Sequence, residues 1–339
     1  GGLWVYNPNS FRSFLTARYD GECVELNDIS PCGWSVAHNL TPEKSVVLGE
    51  RSIENKLYRV EFNEYGEIVS LYDKRYNREV VKDGEAFNKI MLYEDYPYAW
   101  DAWEVSPYYR QKGQSIKEKA VFTPIYDGAR AGFRIEKQFL KSSVTQDVYL
   151  YDNLERIDIE NEVNWQERHL FMRALFPTSV NAAKAAYEIQ FGVMERDTHE
   201  NTSWQQAQFE VCAHKWADIS EGDYGVSILN DCKYGYSADG ATLGLSLLRG
   251  PSEPNPSADL GTHKFTYSIL PHKGDYRTGK TILQAYALNN PVYTREISEA
   301  KGMLGESFSL VCCDSENVIT EAVKQAESGD GVIVRLYEA

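Results

Sequence analysis

Trp100-Asp101-Ala102-Trp103-Glu104 sets two indoles and two carboxylates within five residues. An aromatic face stacks on the apolar face of a pyranose, and an adjacent carboxylate accepts hydrogen bonds from sugar hydroxyls. The same spacing also fits a core in which both indoles are buried and Asp101 caps a turn, and spacing alone does not separate the two readings. Arg249 precedes a run, residues 250–259, punctuated by Pro251, Pro254 and Pro256. Its planar fork is suited to a sugar, to orienting a carboxylate or to an ordinary salt bridge. Asp158, Glu160 and Glu162 have the spacing of a glycosidic carboxylate pair on one strand face. They read instead as the wet side of a half-buried strand.

Other chemistries lack their minimum parts. The six histidines include no H-E-x-x-H and no close pair in zinc spacing, so no metal site is expected within the chain. His214 and His263 are the two worth following. No G-x-S-x-G elbow, P-loop or G-x-G-x-x-G is present, which removes serine-hydrolase, nucleotide-triphosphatase and dinucleotide readings. The vicinal pair Cys312-Cys313 reads as small apolar residues rather than as nucleophiles. The six cysteines show no C-x-x-C spacing and are too sparse for a disulfide scaffold, which favours a reducing, cytoplasmic setting.

The elements that must position these residues are strands. Period-two alternation runs through residues 155–165, with Ile157, Ile159, Val163 and Trp165 on one side. Residues 57–62 and 68–72 flank Glu64-Tyr65-Gly66 as a hairpin. Further strands are expected at 121–126, 133–140, 144–150, 170–176, 209–214, 224–230, 242–248, 264–270 and 282–287. Aromatics make up 13% of the chain, 23 of them Tyr, which suits pleated, half-buried surfaces. One helix is expected at 316–327, where Val318, Ile319, Ala322, Val323 and Ala326 form a stripe ended by Gly329 and Gly331. The strand at 332–337 that follows has no evident partner, and with the absence of an initiator Met this suggests a chain cut at both ends.

Composition bounds the partners. With 339 residues, 42% hydrophobic and 25% charged, the chain buries a core. Its formal charge of −15 disfavours nucleic acid and anionic lipid. No apolar stretch approaches the roughly 18 residues of a membrane span, and the first residues lack a signal-peptide pattern.

Several long blocks resemble the C-terminal β-region of glycoside hydrolase family 38 α-mannosidases, in the branch with cytosolic and vacuolar enzymes. They are residues 100–105, 191–204, 209–218 and 224–235, and Leu247-Leu248-Arg249 with its loop to Asp259 and His263. The resemblance implies an all-β fold, a large antiparallel supersandwich of galactose-mutarotase type. Small flanking β segments and the C-terminal helix complete it. Expected segments are 1–50, after an absent helical bundle, 51–305 for the sandwich, and 306–339 as the helix-strand start of a terminal β-domain. The family's nucleophile and its divalent ion, usually zinc, belong to an N-terminal domain outside this sequence, so the fragment is expected to be inert. Its expected partners are an α-mannoside reached through the intact enzyme and its own catalytic domain; the resemblance leaves a homo-oligomer open. Trp100, Asp101 and Trp103 are the first candidates for a loop at the active-site rim, and Arg249 and Asp259 the second. A stand-alone carbohydrate-binding sandwich and a mutarotase-like aldose epimerase are the competing readings, the latter needing a convergent acid and base.

Overall fold

The computed structural model describes residues 2–298 and 303–339. Two antiparallel sheets dominate. A nine-stranded sheet runs, in spatial order, Val121–Asp127, Arg130–Phe139, Ser142–Tyr151, Ile157–Trp165, Gly261–Lys273, Tyr224–Asn230, Trp216–Ser220, Lys184–Ile189, Gly192–Asp197. A six-stranded sheet runs Gly113–Ser115, Lys89–Glu94, Leu170–Pro177, Thr242–Leu248, Gly235–Asp239, Val211–Cys212. Alternate residues of both meet in one core, with Ile135, Val148, Ile159 and Tyr267 from the larger sheet against Ile90, Met172, Phe176 and Leu245 from the smaller. Burying one face of each strand in this way is what period-two alternation demands. A five-stranded sheet containing the expected hairpin, Tyr58–Phe62 with Ile68–Asp73, closes one side of the same core. Gly66 takes φ +76° in its turn, where a Cβ would also collide with Ile135.

A four-stranded sheet joins Tyr293–Ile297, Gly2–Asn7, Gly33–Ala37 and Ser307–Ser309. It draws strands from all three of the segments expected from sequence. The fold is all-β and antiparallel, as expected, but its helical content is misplaced in the sequence reading.

Residues 316–327 do not form a helix. Val318–Gln325 is a strand paired with Val332–Glu338, its register broken by a bulge between Thr320 and Ala322. The bulge shifts the alternation by one, and the resulting apolar spacing imitates a helical stripe. Gly329, at φ +99°, belongs to the hairpin turn rather than to a helix stop. The partner missing for the last strand is thus the segment just before it. Conversely, 282–287 is not a strand but part of the helix Thr281–Asn289. That helix is packed on most of its circumference, with Ile282, Ala285 and Tyr286 against Trp216, Leu229 and Leu270. A helix wetted on no broad face loses the polar stripe that would have announced it. Residues 209–214 contribute only the short strand Val211–Cys212.

Asp158 also departs from its expected place. It is 3% exposed, paired to Arg156 (Nε to Oδ1, 3.0 Å), and accepts hydrogen bonds from Tyr151 and Ser268, both 2.6 Å. Despite the cost of burial, the Arg156 charge and these two bonds hold its carboxyl below the usual range. Glu160 and Glu162 keep the wetter side, and only Asp158 leaves the carboxylate row.

Candidate functional site

Three neighbouring strands set the candidate loops at one end of the six-stranded sheet. Glu94 pairs with Leu170 and Met172 with Leu248, so the segment leaving Glu94, the turn entering Leu170 and the loop leaving Leu248 emerge together. Backbone bonds extend the pairing outward: Asp95 N donates to His169 O (2.8 Å), and His169 N to Gly250 O (2.8 Å). Residues 95–106, 166–169 and 249–260 are thereby gathered although they lie far apart in sequence.

Arg249 is the hub. Its Nε and Nη2 donate to the two oxygens of Asp95 at 2.6 and 2.8 Å, and Nη2 also reaches Glu104 O (2.8 Å) and Asp101 O (3.1 Å). The bidentate fork is the geometry that guanidinium offers a carboxylate. The Asp95 side chain is only 1% exposed, so the pair is desolvated and fixes the start of the loop. Asp101 braces the other side: its Oδ2 accepts from the backbone N–H groups of Ser252 (2.6 Å) and Glu253 (3.2 Å). His169 completes the brace, with Nε2 3.0 Å from Ser252 Oγ and its ring stacked on Tyr96 at 4.5 Å.

The indoles go the opposite way. Trp100 and Trp103 are each 70% exposed, with ring centroids 6.2 Å apart. Trp100 takes φ +58°, and its carbonyl accepts from Trp103 N (2.7 Å) and Glu104 N (2.9 Å). A bulky residue in the left-handed region costs on the order of 1–3 kcal/mol and persists only where its surroundings impose it. Here the braced turn imposes it and turns the rings outward. The core reading is therefore half realised: Asp101 does cap backbone, while the tryptophans are not core.

Trp100, Asp101, Trp103 and Arg249 come together; Asp259 does not join them. It is exposed, at φ +60°, and its carbonyl accepts from His263 Nε2 at 2.7 Å. The proline-rich loop is instead held by Arg168, which donates to Pro251 O and Ala258 O, both 3.2 Å. His169, Ser252 and Arg168 were not singled out as site residues from sequence, and Asp95 only as one carboxylate of the aromatic segment 93–109. Asp95 carried one local signal, its place at the head of the aromatic run, and the others become visible only through strand pairing.

One other polar cluster is sealed. Asp218 accepts from His272 Nε2 (2.7 Å), Ser227 Oγ (2.8 Å) and Ser220 Oγ (2.5 Å). Serine, histidine and aspartate meet, but Asp218, Ser227 and His272 are at most 1% exposed, so no substrate reaches them. His214 packs edge-on to Tyr234 at 5.8 Å. Among the described residues no group of three or more His, Cys, Asp or Glu is arranged to hold a metal ion. The described residues thus offer no seat for the divalent ion that the resemblance implies. No helix among them is long and apolar enough to cross a membrane.

The family model described as glycosyl hydrolases family 38 C-terminal domain matches residues 53–257, a span that contains the whole brace. Alpha-mannosidase G of Dictyostelium discoideum is 40% identical over 98% of this chain and 31% of its own length. Alpha-mannosidase 2C1 of Homo sapiens is 38% identical over 86% of this chain and 28% of its own. The chain thus spans about a third of the length of the curated relatives it matches. An alpha-mannosidase from Enterococcus faecalis V583, 16% identical, superposes with a TM-score of 0.75 over 93% of this chain and 40% of that one, and shares the fold.

Proposed function

The chain belongs to glycosyl hydrolase family 38, as its C-terminal region, and we propose that it serves an α-mannosidase by lending the 95–106 loop to the rim of an active site whose chemistry lies elsewhere in the protein. One observation carries this reading: two exposed indoles, 70% accessible each, stand on a loop whose backbone is pinned by a desolvated Arg249–Asp95 pair. A surface that only needed covering would not require such bracing, whereas a stacking platform for a sugar needs fixed rings. The substrate is an α-linked mannoside, and the partner is the catalytic portion of the same protein. The divalent ion that supplies Lewis acidity in such a portion is held there and not by these residues. Six free thiols support a reducing, cytoplasmic setting.

In this scheme Trp100 and Trp103 touch sugar, Asp101 and Arg249 position the loop, and Asp259 lends a carboxylate farther along the rim. In the intact enzyme Trp100→Ala and Trp103→Ala are expected to lower kcat/KM on α-mannosides about tenfold each, the value of one lost stacking contact of roughly 1.4 kcal/mol. Asp101→Asn keeps the shape but weakens the two backbone bonds, and a smaller loss is expected. Unchanged kinetics in both tryptophan variants would end the rim reading. The same exposed rings support a second reading, a sandwich that binds sugar by itself. Tryptophan fluorescence of this chain titrated with mannosides separates the two, since saturable quenching without the catalytic portion favours autonomous binding.

A further inference from the structure

Strand register sets Lys89, Leu175, Gly244 and Ser237 in one row across the outer face of the six-stranded sheet, away from the core. Gly244 makes a dip in that row: a Cβ there would lie 2.7 Å from Ser237 Oγ and 2.8 Å from Arg173 Nη2. The dip admits the guanidinium of Arg173, which is 2% exposed. Its Nε donates to Ser246 Oγ (3.2 Å), Nη1 to Tyr109 OH and Nη2 to Ser237 Oγ (2.8 Å), and Nη2 lies 3.0 Å from Glu210 Oε2. Tyr109 and Glu210 thereby seat two arms of the chain on this face, the 3₁₀ turn Pro107–Lys112 and the stretch ending at Glu210. Arg110 and Glu200 link the arms at 2.7 and 3.1 Å. Between them a cleft of about 230 Å³ stays open, bordered by Arg173, Tyr93, Phe209, Ser237, Asp239 and Thr242.

The cations at its edge are already paired, Arg173 with Glu210, Arg110 with Glu200 and Lys89 with Glu85 at 3.9 Å. The exposed carboxylate of Asp239 has no partner among the described residues. Ser237 accepts from the guanidinium and so keeps its own proton to give, and the hydroxyls of Tyr93 and Thr242 likewise find no acceptor among the described residues.

We propose that this cleft binds one neutral sugar ring, as a site separate from the rim loop. Unpaired hydroxyl donors and an unpaired carboxylate acceptor in one small space suit a polyol, and no unpaired cation is left to draw an anion. Adjacent hydroxyls of the ring donate to the two oxygens of Asp239. Ser237, polarised by the Arg173 charge, donates to a ring or hydroxyl oxygen. Phe209, partly exposed, supplies the wall for the apolar face of the ring. The volume is below the roughly 300–1,000 Å³ of drug-sized sites, which limits the occupant to a single ring. Asp95, Trp100, Trp103 and Arg249 do not border the cleft, so its binding is independent of the rim.

The test is saturation-transfer NMR of the folded Trp100→Ala, Trp103→Ala chain, in which the rim platform is gone and the fate of the rim reading has no bearing. It is titrated with methyl α-mannoside, methyl α-glucoside and inorganic phosphate. Saturable binding of a methyl hexoside is expected, with a Kd of about 1 mM, ordinary for a ligand of this size. Asp239→Ala, at an exposed position, is expected to weaken it at least about 10-fold, and Asp239→Asn, which still accepts hydrogen bonds, by less. Absence of saturable binding overturns the proposal, as does binding that Asp239→Ala leaves intact. Displacement of the sugar by phosphate also overturns it, because the cleft would then be an anion site.

Discussion

A buried charge is informative through what surrounds it, and three side chains here show how differently burial can resolve. Asp95 is answered by a bidentate arginine, and Asp158 by Arg156 with two hydroxyls. Lys137, 4% exposed, is answered by one carbonyl, that of Tyr65 at 3.0 Å, and burial pushes its amine down to about 8. Below pH 8 both the folded and the unfolded chain carry the Lys137 proton, and the fold bears the full cost of the buried cation. Between about 8 and 10.4 the unfolded chain binds more protons than the folded one, so this residue's contribution to stability rises with pH. Lys137→Met, which keeps the stem and removes the charge, is therefore expected to stabilise the fold at pH 7 by up to about 3 kcal/mol. The gain should shrink as pH approaches 10. Urea unfolding at pH 7 and 9.5 checks this; a variant that is less stable at both would mean that the Tyr65 bond outweighs the buried charge.

Between residue and fold, glycine placement decides how closely elements approach. The His272 ring lies between Gly225 and Gly279, and a Cβ at either position would overlap it. Gly279 leads into the helix Thr281–Asn289, so this contact sets how that helix seats on the nine-stranded sheet. Gly279→Ala is expected to cost about 1–3 kcal/mol through overpacking, because His272 is fixed by Asp218 and has nowhere to turn. Gly222→Ala, facing open space, is expected to stay within about 0.5 kcal/mol. Denaturant midpoints for the two variants measure the difference, and equal values would show that the helix shifts freely.

The same elements explain what the sequence could and could not convey. Strands with one dry face, such as Ile157–Trp165 and Tyr58–Phe62, were legible because alternation is a local property. The helix Thr281–Asn289 was hidden by burial on most sides, and the strand Val318–Gln325 was disguised by its bulge. Both signals depend on what packs against the segment. At the site, Trp100, Asp101, Trp103 and Arg249 were legible by residue type and resemblance. The outward turn of the indoles was not, since it follows from a φ of +58° imposed by partners about 150 positions away.

At the scale of the whole molecule, the late strands divide between two partners, the sheet of the early strands and the helix on the nine-stranded sheet. Ser307–Ser309 completes the sheet begun by Gly2–Asn7 and Gly33–Ala37, with Phe308 edge-on to Trp34 at 5.0 Å. The hairpin Val318–Gln325 with Val332–Glu338 covers the helix Thr281–Asn289 through Ile319, which is 2% exposed, and through the Tyr337–Tyr286 hydroxyl pair at 2.9 Å. The main core, by contrast, includes none of the described residues beyond Ile269. A chain ending at Ser298 should therefore fold its sandwich while losing the cover over Tyr286 and exposing the edge of Gly33–Ala37. Loss of one large buried aliphatic alone costs about 2–4 kcal/mol, which lowers Tm by roughly 5–10 °C in a domain of this size. The brace at Arg249 draws only on residues 95–253, so the emission of Trp100 and Trp103 should not change. Calorimetry and tryptophan fluorescence of the shortened chain separate two architectures. A single lowered transition with unaltered tryptophan emission means that the sandwich and its aromatic loop stand as one unit, and the late strands as its buttress. A chain that fails to fold would mean that the four-stranded sheet is part of the nucleus on which the sandwich depends.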